Sequence, residues 1–189
     1  MASTRNLSVF AAPLLAVAGC LTATAHAELV VNGGFEAGNF FGWTPSVAPY
    51  PLFDVTNNFG HSGTSSAFFA DSVDRSITQL LPTTAGQQYQ LSFYVFNGQV
   101  NGGTGDHFQV TWEGQIILDQ NPILFPGSQW SLFSTNVTAG VSGSLLGFAA
   151  FDAPAFSYLD DVSVALVPAP GAAALLGAGG LLAARRRRA

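Results

Sequence analysis

Tyr89-Gln90-Leu91-Ser92-Phe93-Tyr94-Val95-Phe96 decides the fold. Side chains alternate across a strand, so Tyr89, Leu91, Phe93 and Val95 share one face, and Gln90, Ser92, Tyr94 and Phe96 the other. The first set is apolar throughout and predicts a strand lying on a core. Outward from it the same rhythm repeats. His107 to Trp112 places Phe108, Val110 and Trp112 together, Glu113-Gly114 is a turn signal, and Gln115 to Asp119 returns as the hairpin partner. Trp130 to Val137, Leu145 to Phe151 and Phe156 to Leu166 predict further strands. Phe53-Asp54-Val55, Ser66 to Ala70 and Ser76 to Leu81 predict shorter ones, and Val30-Val31 opens the series. Gly98 to Gly105 reads as a flexible loop. No stretch of the body shows a convincing 3.6-residue period, so the expectation is all-β: a single antiparallel β-sandwich.

The flanks differ from this body. Arg5, the apolar centre Val9 to Thr22 and the small-x-small site Ala25-His26-Ala27 predict a signal peptide over residues 1–27, cut after Ala27. Val17-Ala18-Gly19-Cys20 looks like a lipobox, which leaves lipidation at Cys20 as the alternative. Cys20 is the sole cysteine, so cleavage removes every thiol and with it disulfide and thiolate chemistry. At the other flank, Val167-Pro168-Ala169-Pro170 precedes an apolar run from Gly171 to Ala184 and then Arg185, Arg186, Arg187 and Arg188. A helix of that run rises about 21 Å, short of a ~30 Å hydrocarbon core, and is a marginal anchor whose arginines stay cytoplasmic.

The domain between the flanks, residues 28–166, holds all 11 acidic residues against one base, Arg75, for a formal charge of −10. Phosphate recognition needs clustered cations, so nucleic acid is excluded as a partner. Neutral glycans and calcium-bridged acidic polymers stay open.

Pro168-Ala169-Pro170, the apolar run and Arg185 to Arg188 resemble the PEP-CTERM sorting signal, with Ala169 where that family usually has Glu. The resemblance covers residues 167–189. It implies recognition by an exosortase-type processing enzyme in a Gram-negative, exopolysaccharide-making bacterium. It also implies transient membrane anchoring through a C-terminal hydrophobic helix, and a final place in the envelope, on the cell surface or in the extracellular matrix.

Within the body, Asn32-Gly33-Gly34-Phe35-Glu36, Gly42-Trp43, His61-Ser62-Gly63 and Leu159-Asp160-Asp161-Val162 occur in an order that resembles carbohydrate-binding-module-like jelly rolls with the galactose-binding-domain fold. That resemblance implies a structural calcium on Glu36 and Asp160. Alternation puts Asp160 on the side of Val162 and Val164, hence inward, where a carboxylate needs a cation or donors.

Tyr94 and Phe96 lie opposite the core set of the strongest strand, and exposed aromatics on a sandwich face call for an explanation. With Gln109 and Trp112 they form the expected glycan-contacting set. Trp43 and Trp130 read as core or rim. His61 and His107 are isolated, without zinc spacing. Gly60-His61-Ser62-Gly63-Thr64 misses the nucleophile elbow at its last position. Asp71 and Asp74 make a glycosidase dyad only if space, not sequence, sets them apart correctly. The reading is an exported, non-catalytic surface or matrix protein associated with glycan or exopolysaccharide. The alternatives are a carbohydrate-active enzyme and a self-associating structural protein.

Overall fold

The computed structural model describes residues 27–98 and 105–168. Ala25, Cys20, most of the Gly98–Gly105 loop, Pro170, the apolar run and Arg185 to Arg188 lie outside the described residues; Ala27 and Pro168 are exposed at its two ends. Ten strands form: β1 (Thr44–Pro45), β2 (Phe53–Thr56), β3 (Ser66–Phe69), β4 (Arg75–Leu81), β5 (Gln88–Asn97), β6 (Asp106–Trp112), β7 (Gln115–Gln120), β8 (Trp130–Thr138), β9 (Ser144–Asp152) and β10 (Ser157–Leu166). They build two sheets, β1-β4-β9-β6-β7 and β2-β3-β10-β5-β8, antiparallel at every pairing. No helix occurs among the described residues. The β-sandwich expectation holds.

The alternation that predicted β5 is the alternation that packs it. Tyr89, Leu91, Phe93 and Val95 are buried between the sheets, facing Phe108, Val110 and Trp112 of β6 and Leu146, Phe148 and Ala150 of β9. Phe93 meets Phe148 edge-on at 5.1 Å and stacks on Phe133 at 5.0 Å. Aromatic pairs of this kind add about 1 kcal/mol each beyond area burial. Trp43 stacks on buried Phe35 at 5.8 Å, so it fills the core.

Two differences have local causes. Val30-Val31 forms no strand, because the chain joins β10 through an isolated bridge between Glu28 and Ala165. β1 has only two residues, too few to display a period.

A third difference matters for the site. The β10–β5 register shifts between Asp160 and Ser163, and Asp161 adopts φ +48°. This bulge inserts a residue and resets the alternation. Leu159, Val162 and Val164 all face the core, while Asp160 pairs with Tyr94 on the outer face. The inward placement of Asp160 expected from alternation is therefore corrected: the side chain points away from the core and is buried from outside.

Candidate functional site

What buries Asp160 is the loop of residues 57–65. Its fully buried carboxylate accepts the His61 and Ser62 backbone N–H groups on Oδ2, at 2.6 and 3.2 Å, and that of Asp161 on Oδ1 at 2.7 Å. Glu36 holds the far side of the same loop. Its Oε1 accepts the N–H groups of Thr64 and Ser65, each at 2.8 Å, and its Oε2 the Thr64 hydroxyl at 3.2 Å. Asp161 adds the Ser62 hydroxyl at 2.5 Å and His61 Nδ1 at 2.6 Å.

The glycines of this region are conformational necessities. A Cβ on Gly33 would lie 2.0 Å from the Val162 carbonyl oxygen, and one on Gly63, at φ +62°, 2.4 Å from Glu36 Oε1. Burial raises the Asp160 carboxyl to about 6, with the neighbouring Asp161 charge adding to it and three backbone N–H donors opposing. The Ser65 and Thr64 amides hold Glu36 below its ordinary value.

These contacts bear on the expected calcium. A calcium shell takes 6–8 oxygens. Glu36 Oε1 and Asp160 Oδ2 already accept two amides each, and among the described residues no three acidic, histidine or cysteine side chains gather to hold a metal. The loop amides thus supply part of the compensation that a cation would bring to these two carboxylates.

The clamped loop seals the outer face of the β2-β3-β10-β5-β8 sheet. Phe59 drops onto Phe96 at 4.9 Å, Tyr158 at 4.5 Å and Trp130 at 5.6 Å, and His61 stacks on Tyr94 at 3.5 Å. Phe96 pairs across strands with Trp130 and with Tyr158, and Phe68 and Phe156 extend the layer. Tyr94 and Phe96 are thus half-buried in a second, smaller apolar layer. Leu132, opposite Tyr94 on β8, is left 56% exposed.

Gln109 lies on the other outer face. It pairs with Ala149 of β9 and Asp119 of β7, and Ala149 pairs with Ser76 of β4. In the adjacent outward row, Thr78, Gly147, Thr111 and Ile116 stand side by side. Small side chains thus occupy the middle of this face. The Gln109 amide has no side-chain hydrogen bond among the described residues. At one end His107 donates or accepts at both ring nitrogens, Nδ1 to Asp74 at 2.7 Å and Nε2 to Asp119 at 2.8 Å, beside Phe151 at 5.8 Å. Burial lowers the His107 pKa, but the bonds to Asp74 and Asp119 and their charges outweigh it, and the net shift is upward.

The four expected ligand residues therefore do not converge. Tyr94 and Phe96 belong to one outer face and Gln109 to the opposite one. Trp112 is corrected outright: it is 4% exposed, sits in the core facing Tyr89, and donates its indole N–H to the Thr138 carbonyl at 3.2 Å. Inward alternation with Phe108 and Val110 already marked it as core. The histidines, isolated in sequence, are hydrogen-bonded in space, His61 to Asp161 and His107 to Asp74 and Asp119. Asp71 and Asp74 are separately engaged. Asp71 takes the Tyr50 hydroxyl and the Arg75 guanidinium, at 2.6 Å from Arg75 Nε. The Tyr50 bond, the Ser72 amide and Arg75 together bring its pKa down to about 2 against the opposing effect of burial. Asp161, Asp119 and Phe59 escaped the sequence reading, since their partners come from strands far away in the chain.

No protein-family model matches the chain, and no curated protein is similar to it. Solved structures share its fold. The CBM22-1 xylan-binding domain from Paenibacillus barcinonensis Xyn10C aligns with TM-score 0.54 and 21% identity, covering 78% of this chain and 99% of that domain. A CBM61 module in complex with β-1,4-galactotriose aligns with TM-score 0.55 and 13% identity over 75% and 99%. The enzymatically active domain of bacteriophage CBA120 tailspike protein 4 aligns with TM-score 0.54 and 14% identity over 74% of this chain, which spans only 21% of that chain. What these likenesses establish is the jelly-roll fold of carbohydrate-binding modules.

Proposed function

We propose that the chain is an exported, non-catalytic module that binds a neutral glycan on the outer face of the β1-β4-β9-β6-β7 sheet. The observation that carries this is the row Ser76, Ala149, Gln109, Asp119: an uncommitted amide between a small residue and a carboxylate, on a face whose middle is free of bulk. Sugar hydroxyls are read by a few fixed polar groups on a preformed surface. Gln109 offers both a donor and an acceptor, Thr111 a hydroxyl and Asp119 an acceptor. The solved glycan-binding modules of the same fold support the reading, as does the negative body, which disfavours anionic ligands.

The reading is non-catalytic because most of the acids are engaged in structural contacts: Asp71 with Arg75, Asp74 and Asp119 with His107, Glu36 and Asp161 with the loop, Glu28 with Ser163, and Glu113 with Ser144. The signal peptide 1–27 and the PEP-CTERM-like tail 167–189 deliver the domain to the surface, the tail serving as a signal that an exosortase-type enzyme removes. C-terminal mass spectrometry of the mature protein reads this directly; retained Arg185 to Arg188 contradicts processing. The glycan assignment is tested by screening the full chain on an array of neutral oligosaccharides and soluble polysaccharides. Binding that drops at least about tenfold in Gln109→Ala, with the melting midpoint unchanged, supports it. A flat array, or binding indifferent to Gln109→Ala, overturns it.

A further inference from the structure

The chain leaves the sandwich at one defined end. Val167 donates its N–H to the Gln88 carbonyl at 2.8 Å, beside the start of β5, and Glu28 bridges Ala165 close by. Segment 138–143 lies at the same end: the Ala139 N–H goes to the Gln87 carbonyl and the Gly143 N–H to that of Thr83. Val141 in this segment is 56% exposed. Next to it, on the outer face of β4 and β9, Leu80 and Leu145 stand opposite each other, 69% and 45% exposed. A Cβ on Gly143 would lie 3.8 Å from Leu80 Cδ1, so the leucines adjoin the segment that carries Val141. Scattered exposed apolar residues need no explanation, but three grouped where the chain departs do.

The two ends of the sandwich differ in charge. At the far end Asp106 and Asp152 face each other, Asp152 donates its N–H to the Asp71 carbonyl, and His107 gathers Asp74 and Asp119. At the exit end, segments 82–88, 113–116 and 138–145 hold one charged side chain, Glu113. Its carboxylate is turned to the Gly140 and Val141 N–H groups and the Ser144 hydroxyl. A body with a formal charge of −10 is repelled by anionic lipid, and within a Debye length that repulsion is weakest through its acid-poor end.

The apolar run supplies the occupant. Residues 168–170 alone separate Val167 from Gly171, where that run starts, and four Cα steps reach no more than about 14 Å. A tail held in a bilayer therefore keeps the exit end within that distance of the lipid surface. Interfacial binding grows with the apolar area buried, and Leu80, Val141 and Leu145 are the apolar area this end offers.

We propose that Leu80, Val141 and Leu145 form a docking patch for the lipid surface, seating the exit end of the sandwich on the bilayer with the acidic end pointing outward. The proposal rests on the reading of residues 167–189 as a membrane-inserted signal. The glycan row stays clear of the lipid: Ala149, beside Gln109, lies four residues along β9 from Leu145, about 13 Å. The face is thus open to ligand while the tail is still anchored.

The test uses the full chain with its signal peptide removed by export, purified from a host without an exosortase. It is placed in phosphatidylcholine nanodiscs that carry a nitroxide-labelled lipid headgroup, and amide signal loss is read residue by residue. Leu80, Val141 and Leu145 lose signal as strongly as Gln88 and Val167, while Asp74, His107 and Gln109 keep theirs. In the triple variant Leu80→Ser, Val141→Ser, Leu145→Ser, the loss at those three positions falls and the loss at Val167 stays, because the tail still holds it. If that variant does not fold, the map of the unmutated chain decides alone. Loss confined to Gln88 and Val167 overturns the docking and leaves the tail reading standing. No loss anywhere means that the tail does not insert, and overturns both. Two chains per disc, with the three patch amides shifted but not broadened by the label, assign the patch to a second copy and likewise overturn the proposal.

Discussion

On the outer face of β2-β3-β10-β5-β8, Phe59 and His61 come down from a loop onto Tyr94, Phe96, Trp130 and Tyr158. On the outer face of β1-β4-β9-β6-β7, Ala149, Gly147, Ser76 and Thr78 leave the middle low, and Gln109 stands with its amide uncommitted. The aromatic face has the composition of a sugar platform, yet its rings are spent on one another. The other face has no aromatic in its middle, yet it keeps the free polar group. Aromatic content alone thus does not mark a face as open; what counts is whether the rings and polar groups are already used.

Breaking the seal is the largest intervention. Phe59→Ala removes the ring that touches Phe96, Trp130 and Tyr158 and destabilises the fold by about 2 kcal/mol, below a fully buried Phe because the residue is half-buried. Denaturant melts measure this, and glycan affinity stays unchanged if the two faces have separate roles.

The clamp beneath the seal has its own pH signature. Asp160 has a folded value of about 6, raised above its unfolded value of 3.8. The stability this gives is fully present below pH 3.8 and is lost as pH rises through 6. From pH 4 to 7 the unmutated chain should therefore lose on the order of 2 kcal/mol relative to Asp160→Asn, whose side chain does not titrate. Parallel melts of the two proteins across that range give the difference directly.

On the open face the effect is smaller and has its window at higher pH. His107 is raised above its ordinary 6.5 by Asp74 and Asp119. Its contribution is fully present below pH 6.5 and fades as pH climbs through the higher folded value. His107→Gln should cost about 0.5–1 kcal/mol at pH 6 and less at pH 9, since both carboxylates are half-exposed. A cost that grows with pH contradicts the pairing.

The strands were legible because apolar alternation is a local signal: β5, β6 and β9 carry it over at least seven residues, and β10 carries it in two shorter runs on either side of the bulge. The face of Asp160 was not legible, because a one-residue bulge at Asp161 reverses the parity on which the expectation rested. The stacking of Phe59 and His61 on the sheet was not legible: their loop lacks a period, and its position is set by Glu36 and Asp160, about 25 and 100 residues away in the chain. The inward parity of Asp106 and Asp152 with Phe108 and Ala150 was written in the sequence. It gains meaning only when β6 and β9 pair and set the two acids opposite each other.

The two faces differ most directly in where a ligand would land. Amide shift mapping of the full chain, titrated with whichever neutral oligosaccharide the array selects, measures that position without a substitution. Gln109, Thr111, Asp119 and Ala149 should move together while Tyr94, Trp130 and Leu132 stay still. Shifts centred on Tyr94, Trp130 and Leu132, with Gln109 unmoved, would contradict it.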